Sequence, residues 1–230
     1  MKIHSLIKRY LDTYSKIAQH PFNQSLHKGD LAKSVFINFL EQDSLYLRDF
    51  YQAIKLVAPR LTNPIHRQHF ESFAKSTYLF EREIQQKYLN VLPSATFFSE
   101  KRKPLQKISV IREYSEHLLI LAKEAPIEEA VVSFVPCFSV YKELGEQMSL
   151  AAINIEHPYR EWIASYADEQ FKDSTELIIK IADELLQDIV CLEKEEKIAG
   201  NFFRSLDCEY RFFDDILFPK KANTDSLTFC

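Results

Sequence analysis

Glycine is nearly missing: a chain of 230 residues holds only Gly29, Gly145 and Gly200, against a usual share of about 7%. Sheet proteins built on tight hairpins need residues that accept φ > 0, so this scarcity excludes most β architectures and predicts an all-α chain. Cysteine is also sparse. Cys137, Cys191, Cys208 and Cys230 form no CxxC pair and show no metal-ligand spacing, and a 27 kDa chain buries enough core to fold without disulfides. A reducing cytoplasm is the expected location. Positive charge is not concentrated anywhere: 29 Lys and Arg stand against 33 Asp and Glu, a net charge of −4. With no basic stripe for a phosphate backbone, nucleic acid is not expected as a partner. Long apolar runs are absent as well. The longest, Ala130–Tyr141, is too short to span ~30 Å of hydrocarbon. The segment Met1–Tyr10 breaks its apolar residues with charge and lacks the core of a signal peptide. The expectation is a soluble protein, not secreted and not membrane-bound.

What the chain does have is helical periodicity, punctuated by proline. Residues 3–18 read as a first amphipathic helix, and His20-Pro21-Phe22 marks a turn, since the residue before proline is pushed out of the α region. Asp30 is the expected cap of a long helix to about Ala58, whose stripe of Phe36, Phe39, Leu40, Tyr46, Leu47, Phe50 and Ile54 also contains Asp43. Pro59 and Pro64 separate it from a helix to about Val91, with Phe70, Phe73, Leu79, Ile84 and Tyr88 inward. Pro93 ends that helix, and Ser94–Pro104 reads as a polar surface connection. Helix resumes over Leu105–Ala125 on a stripe of Ile108, Ile111, Tyr114, Leu118 and Leu121. Pro126 suits the first turn of the next helix, and Gly145 brings its continuity to Leu150 into question. His157-Pro158 opens a short helix with Trp162, Ile163 and Tyr166, and a longer one spans Phe171–Ile198 with Gly200 as its cap. The last stripe, Phe202, Leu206, Phe213 and Ile216, includes Glu209. Seven or eight helices in a single-domain bundle over residues 1–218, followed by a polar tail over 219–230, is the expected organisation.

The chemistry concentrates around Pro136-Cys137. A proline inside a helix costs on the order of 3 kcal/mol, because it removes one backbone hydrogen bond and presses on the carbonyl four residues back, here that of Val132. Cys137 shares a face with Tyr141 at the i, i+4 step, and Phe134 lies one turn earlier. Asp43 and Glu209 are carboxyls on apolar stripes, where an unpaired charge costs several kcal/mol. Each of the three has a structural explanation when taken singly: a buried cysteine as a small hydrophobe, Asp43 bonded to a tyrosine, Glu209 paired with Arg204 or Arg211. Taken together they suggest a thiol nucleophile, which needs an acid/base partner because a thiol of ordinary pKa near ~8.5 is only slightly ionised at neutral pH. Tyr46, Tyr114, Tyr141 and Tyr166 add flat faces and hydroxyls suited to a small heteroaromatic ligand. A di-iron site is the competing possibility on a helical bundle, but no Glu-x-x-His occurs. The pairs His66/His69 and Glu113/His117 give half a variant site, and these histidines read as surface or capping residues; His20 and His157 read as turn residues.

Several of these segments together resemble the TenA (thiaminase II) family. They are His20-Pro21-Phe22, the run Phe36, Phe39, Leu40, Gln42-Asp43, Tyr46-Leu47, then Pro136-Cys137-Phe138-Ser139-Val140-Tyr141, Trp162-Ile163 with Tyr166, and Phe202, Ser205, Glu209, Phe212. The resemblance covers about residues 10–218. It implies a haem-oxygenase-like helical fold, a homotetramer, no cofactor and no metal. It also implies hydrolysis of 4-amino-5-aminomethyl-2-methylpyrimidine, or cleavage of thiamine, to the 5-hydroxymethyl pyrimidine. Under it Cys137 is the nucleophile, Glu209 the acid/base, Asp43 the binder of the aminopyrimidine edge, and Tyr46, Tyr114, Tyr141 and Tyr166 the pocket lining. Two departures stand out: Ser139 where the family commonly has tryptophan, and Phe212-Phe213 where it commonly has Phe-Trp. The first predicts an altered pocket outline. Tyr159, on the turn before Tyr166, is the alternative pocket tyrosine. A metal-dependent oxidase and a non-catalytic pyrimidine-binding bundle are the other functions compatible with such a fold.

Overall fold

Proline or a polar side chain marks some of the helix starts, at His20-Pro21, Asn63-Pro64 and Asp168. The computed structural model describes residues 1–89, 105–152 and 154–219, and among these it contains ten α-helices, one 3₁₀ turn and no strand. The expected first helix is two, α1 (Ile3–Arg9) and α2 (Leu11–Ala18). They part at Tyr10, whose ring lies 4.9 Å from that of Phe203 and whose hydroxyl donates to the carbonyl of Ala199; α1 packs on the helix Glu169–Leu185 and α2 on the helix Leu192–Leu217. A further helix, α3 (Pro21–Lys28), fills the stretch read only as a turn. Pro21 suits its first turn, and His20 caps it, Nδ1 accepting from the Phe22 N–H at 3.2 Å. Gly29 closes it at φ +79°.

Asp30 is not the cap of the next helix, because it still belongs to the closing turn of α3 and lies two residues ahead of that helix's cap position, Ala32. Its N–H is already committed to the carbonyl of Ser25, and α4 (Lys33–Val57) begins after Ala32 without a side-chain cap. A 3₁₀ turn at Ala58–Arg60 leads to α5 (Pro64–Leu89), on which Phe70 and Phe73 are buried but Leu79 is 53% exposed. The side chains of Ile84 and Tyr88, the end at Pro93, the Ser94–Pro104 connection and the tail from residue 220 fall outside what the structure describes. α6 (Ser109–Glu124) starts four residues later than expected. Gln42 holds the extended approach to it, accepting from the Ile108 N–H at 2.9 Å and donating to the Gln106 carbonyl at 3.0 Å.

α7 (Ile127–Ala152) runs unbroken through both Pro136 and Gly145. The glycine permits a close approach: a Cβ at position 145 would stand 2.5 Å from the carbonyl carbon of Tyr166. α8 (Arg160–Ala167) and α9 (Glu169–Leu185) follow, the latter capped by Asp168 Oδ1 on the Gln170 N–H at 2.8 Å. The predicted helix to Ile198 does not form, because the apolar stripe runs out: Val190 is 90% and Leu192 71% exposed. α10 (Leu192–Leu217) then passes straight through Gly200, which is no cap. α7 packs on α8, α9 and α10, α4 packs on α5 and α6, and α10 also touches α6 and α4. The candidate side chains sit where these groups meet.

Candidate active site

Burial along α7 is nearly total on both sides of the proline, with Val131, Val132, Phe134 and Val135 all sealed. That packing offsets the cost of Pro136, which leaves the Val132 carbonyl without its usual i+4 amide donor. Cys137 follows as the one partly exposed residue in the run 129–141. Asp43 of α4 and Glu209 of α10 are 6% and 1% exposed. Tyr114 of α6 donates its hydroxyl to Glu209 Oε1 at 2.9 Å, and its ring stacks on that of Tyr46 of α4 at 4.6 Å. On the other side, Tyr141 of α7 stacks on Tyr166 of α8 at 4.8 Å, with Trp162 edge-on to Tyr166 at 4.8 Å. Five helices thus contribute to one cluster.

Electrostatics tie the cluster together. Burial raises Glu209 to about 8, opposed by the Tyr114 hydrogen bond and aided by the charge of Asp43. Burial also pushes the Cys137 thiol well above its ordinary value, as do the nearby charges of Glu209 and Asp43, while the Tyr46 hydroxyl favours the thiolate. The phenols of Tyr46, Tyr114, Tyr141 and Tyr166 are held neutral, again chiefly by burial. At neutral pH, then, Glu209 holds a proton that it can donate. Tyr46 Oη is fully buried beside the Cys137 thiol and the Tyr114 hydroxyl, but meets neither in full hydrogen-bond geometry. A polar atom of a ligand would relieve that orphaned donor.

All seven residues singled out in the sequence, Asp43, Tyr46, Tyr114, Cys137, Tyr141, Tyr166 and Glu209, come together. Tyr159 does not join them. Its hydroxyl donates to the Leu31 carbonyl, and its ring lies 4.4 Å from that of Phe36. Glu209 takes neither arginine offered by the sequence: Arg211 and Arg204 turn to Glu113, at 2.8 and 3.7 Å. Ser139, where the family commonly has tryptophan, is buried with its Oγ 2.6 Å from Tyr14 Oη of α2. Tyr14 was not singled out by sequence. The Tyr10, Tyr14, Ile17 spacing puts it on a buried face, but nothing in that spacing names Ser139 as its partner.

The histidines are more buried than expected. His66 is 8% exposed and meets Glu184 at 2.8 Å. His117 is 4% exposed and donates Nε2–H to the Asn201 carbonyl at 3.3 Å, and burial followed by the charge of Arg204 lowers it to about 4. Among the described residues no three His, Cys, Asp or Glu side chains are grouped to hold a metal. A cavity of about 400 Å³ bounded by Arg60, Asn63, His66, Ile127 and Glu184 lies apart from the thiol cluster and shares none of its residues.

Comparison with known proteins identifies the family and the fold. Residues 7–217 match the model of the TENA/THI-4/PQQC family. The chain belongs to that family. Relatives of this TENA/THI-4/PQQC chain include proteins named aminopyrimidine aminohydrolase from Halalkalibacterium halodurans, 26% identical over 85% of this chain and 86% of that protein, and from Bacillus subtilis, 27% identical over 90% and 85%. Among solved structures, a TenA homologue from Pyrococcus furiosus superposes with a TM-score of 0.83 at 16% identity over 94% of this chain and 100% of that one. A TenA homologue from P. horikoshii superposes with a TM-score of 0.80 at 22% identity, covering 93% and 96%. The fold is therefore the TenA, haem-oxygenase-like helical fold.

Proposed function

We propose that this TENA/THI-4/PQQC protein is a hydrolase of aminopyrimidines in thiamine metabolism, converting 4-amino-5-aminomethyl-2-methylpyrimidine to its 5-hydroxymethyl form with release of ammonia. Thiamine, which presents the same pyrimidine, is the second candidate substrate. The observation that carries the reading is the convergence of a thiol, two buried carboxyls and a buried phenol, from the three helices α4, α7 and α10, between stacked aromatic faces.

In the proposed reaction, Cys137 Sγ bonds to a ring carbon as its thiol proton passes to the adjacent ring nitrogen, to return when the Sγ–C bond breaks; aromaticity is interrupted, so the substituent on the 5-methylene can leave with its bonding electrons. Glu209 gives its proton to the departing amine, and the resulting carboxylate takes a proton from water as the water oxygen bonds to the methylene carbon. The Sγ–C bond then breaks and the ring regains aromaticity. Asp43 accepts from the amino edge of the pyrimidine, and Tyr46, Tyr114, Tyr141 and Tyr166 enclose its faces. Residues 1–218 act as one domain, with 219–230 as a tail outside the chemistry. A cytoplasmic location and a homotetramer complete the proposal; light scattering of the purified protein tests the latter.

The direct test supplies each pyrimidine to wild type and to Cys137→Ala, and measures the hydroxymethyl product with ammonia or the thiazole fragment. Product from wild type alone supports the reading. Equal product from Cys137→Ala overturns it.

A further inference from the structure

The residue following Pro136 needs a defined direction, and the proline alone does not supply one. A proline removes a hydrogen bond and lets a helix bend, but the size and direction of the bend come from what holds the turn on its far side. In α7 that far side is Ser139. Its Oγ lies 3.0 Å from the Val135 carbonyl and 3.4 Å from that of Pro136, the two carbonyls immediately before Cys137. Back-bonding of this kind from serine to the carbonyl four residues earlier itself bends helices. Ser133 makes a comparable bond to Ala130 upstream of the proline, at 2.7 Å, without any tie to another helix.

Ser139 is tied. Tyr14 Oη of α2 stands 2.6 Å from Ser139 Oγ, and both groups are buried. The direction of that bond follows from counting protons. Ser139 has one hydroxyl hydrogen and gives it to a backbone carbonyl, so the short contact requires Tyr14 to be the donor. Tyr14 keeps its proton, since burial raises it far above its ordinary range. The result is a chain from α2 through a phenol and a serine hydroxyl to the carbonyls beside Cys137.

We infer that Tyr14 and Ser139 are a positioning pair that fixes the turn of α7 carrying Pro136 and Cys137, and with it the line along which the Cys137 thiol meets its target. The inference rests on the proposed role of Cys137 as the reacting group, and neither residue touches the pyrimidine. A displacement of 1 Å at a reacting atom can cost about a hundredfold in rate, and loss of one tether should move the thiol by less. Tyr14→Phe and Ser139→Ala are therefore each expected to lower kcat about tenfold with KM nearly unchanged. The double variant should be no slower than Ser139→Ala, because both lesions act through one bond. Ser133→Ala, which removes a helix back-bond without a tether, should leave kcat as in wild type.

A second readout does not depend on substrate. The rate of Cys137 alkylation by iodoacetamide, followed peptide by peptide, should change several-fold in Tyr14→Phe and Ser139→Ala but not in Ser133→Ala, with restoration in Ser139→Thr. If wild type turns over no pyrimidine, the proposed function fails while alkylation still tests the tether. Wild-type alkylation rates in both Tyr14→Phe and Ser139→Ala would overturn the pair as a positioning device, even if both variants melted earlier.

Discussion

Tyr114 donates its hydroxyl to Glu209 at 2.9 Å, inside a cluster where burial has already raised that carboxyl to about 8. The bond favours the carboxylate, so it restrains a shift that burial drives upward. Tyr114→Phe should raise Glu209 further, extending its protonated form to higher pH. In a pH profile of kcat/KM, the alkaline limb assigned to Glu209 should move up from near 8. An unmoved limb would separate Glu209 from the titration that governs the rate.

The same carboxyl imposes a cost on stability. Its folded value of about 8 lies above the ordinary 4.5, so the folded protein binds more protons between these limits and stability falls as pH rises through that window. At a slope near ~1.4 kcal/mol per pH unit, the loss is on the order of a few kcal/mol, complete above the folded pKa. Glu209→Gln keeps an acceptor for Tyr114 and removes the titration. Melting temperatures from pH 5 to 9 should decline more steeply for wild type than for Glu209→Gln.

His117 works in the opposite sense at the acid end. Buried against Arg204 and lowered from 6.5 to about 4, it must stay neutral in the fold while the unfolded chain takes up a proton. Stability is thus lost as pH falls from about 6.5 toward 4. His117→Gln, which retains a donor for the Asn201 carbonyl, should flatten acid unfolding over that interval. Identical acid curves for the two proteins would count against this account.

Gly145 faces backbone, not side chain. A Cβ there would stand 2.7 Å from the Tyr166 carbonyl oxygen and 2.8 Å from the Ala167 nitrogen, and no rotamer change can relieve such contacts. Gly145→Ala should push α8 off α7 at a cost of about 1–3 kcal/mol, seen as a lowered melting temperature. It should also raise KM, because the Tyr141–Tyr166 stack spans the same joint.

The apolar stripes were legible in the sequence because period and polarity carry them: Asp43, Tyr114 and Glu209 stand out as interruptions, and the folded chain brings all three beside Cys137. Helix ends were less legible. Asp30 has the chemistry of a cap, but the turn that Gly29 closes at φ +79° keeps it in the end of α3, two residues ahead of the α4 cap position at Ala32. Gly200 looks like a terminator and lies on an exposed face of α10 where no neighbour is present. Gly145 looks like a weakness, yet it serves a contact with a residue outside its own helix. The partner of Tyr14 was invisible for the same reason, since its bond crosses 125 residues.

That distance matters during synthesis. Tyr14 leaves the ribosome long before Ser139, and Tyr114 precedes Glu209 by 95 positions, so the early helices must wait with their apolar faces uncovered until α10 arrives. Contacts this far apart in sequence slow folding and prolong exposure to aggregation. Growing chains stalled before α10 should therefore hold no assembled acid–thiol cluster and should be preferred clients of chaperones.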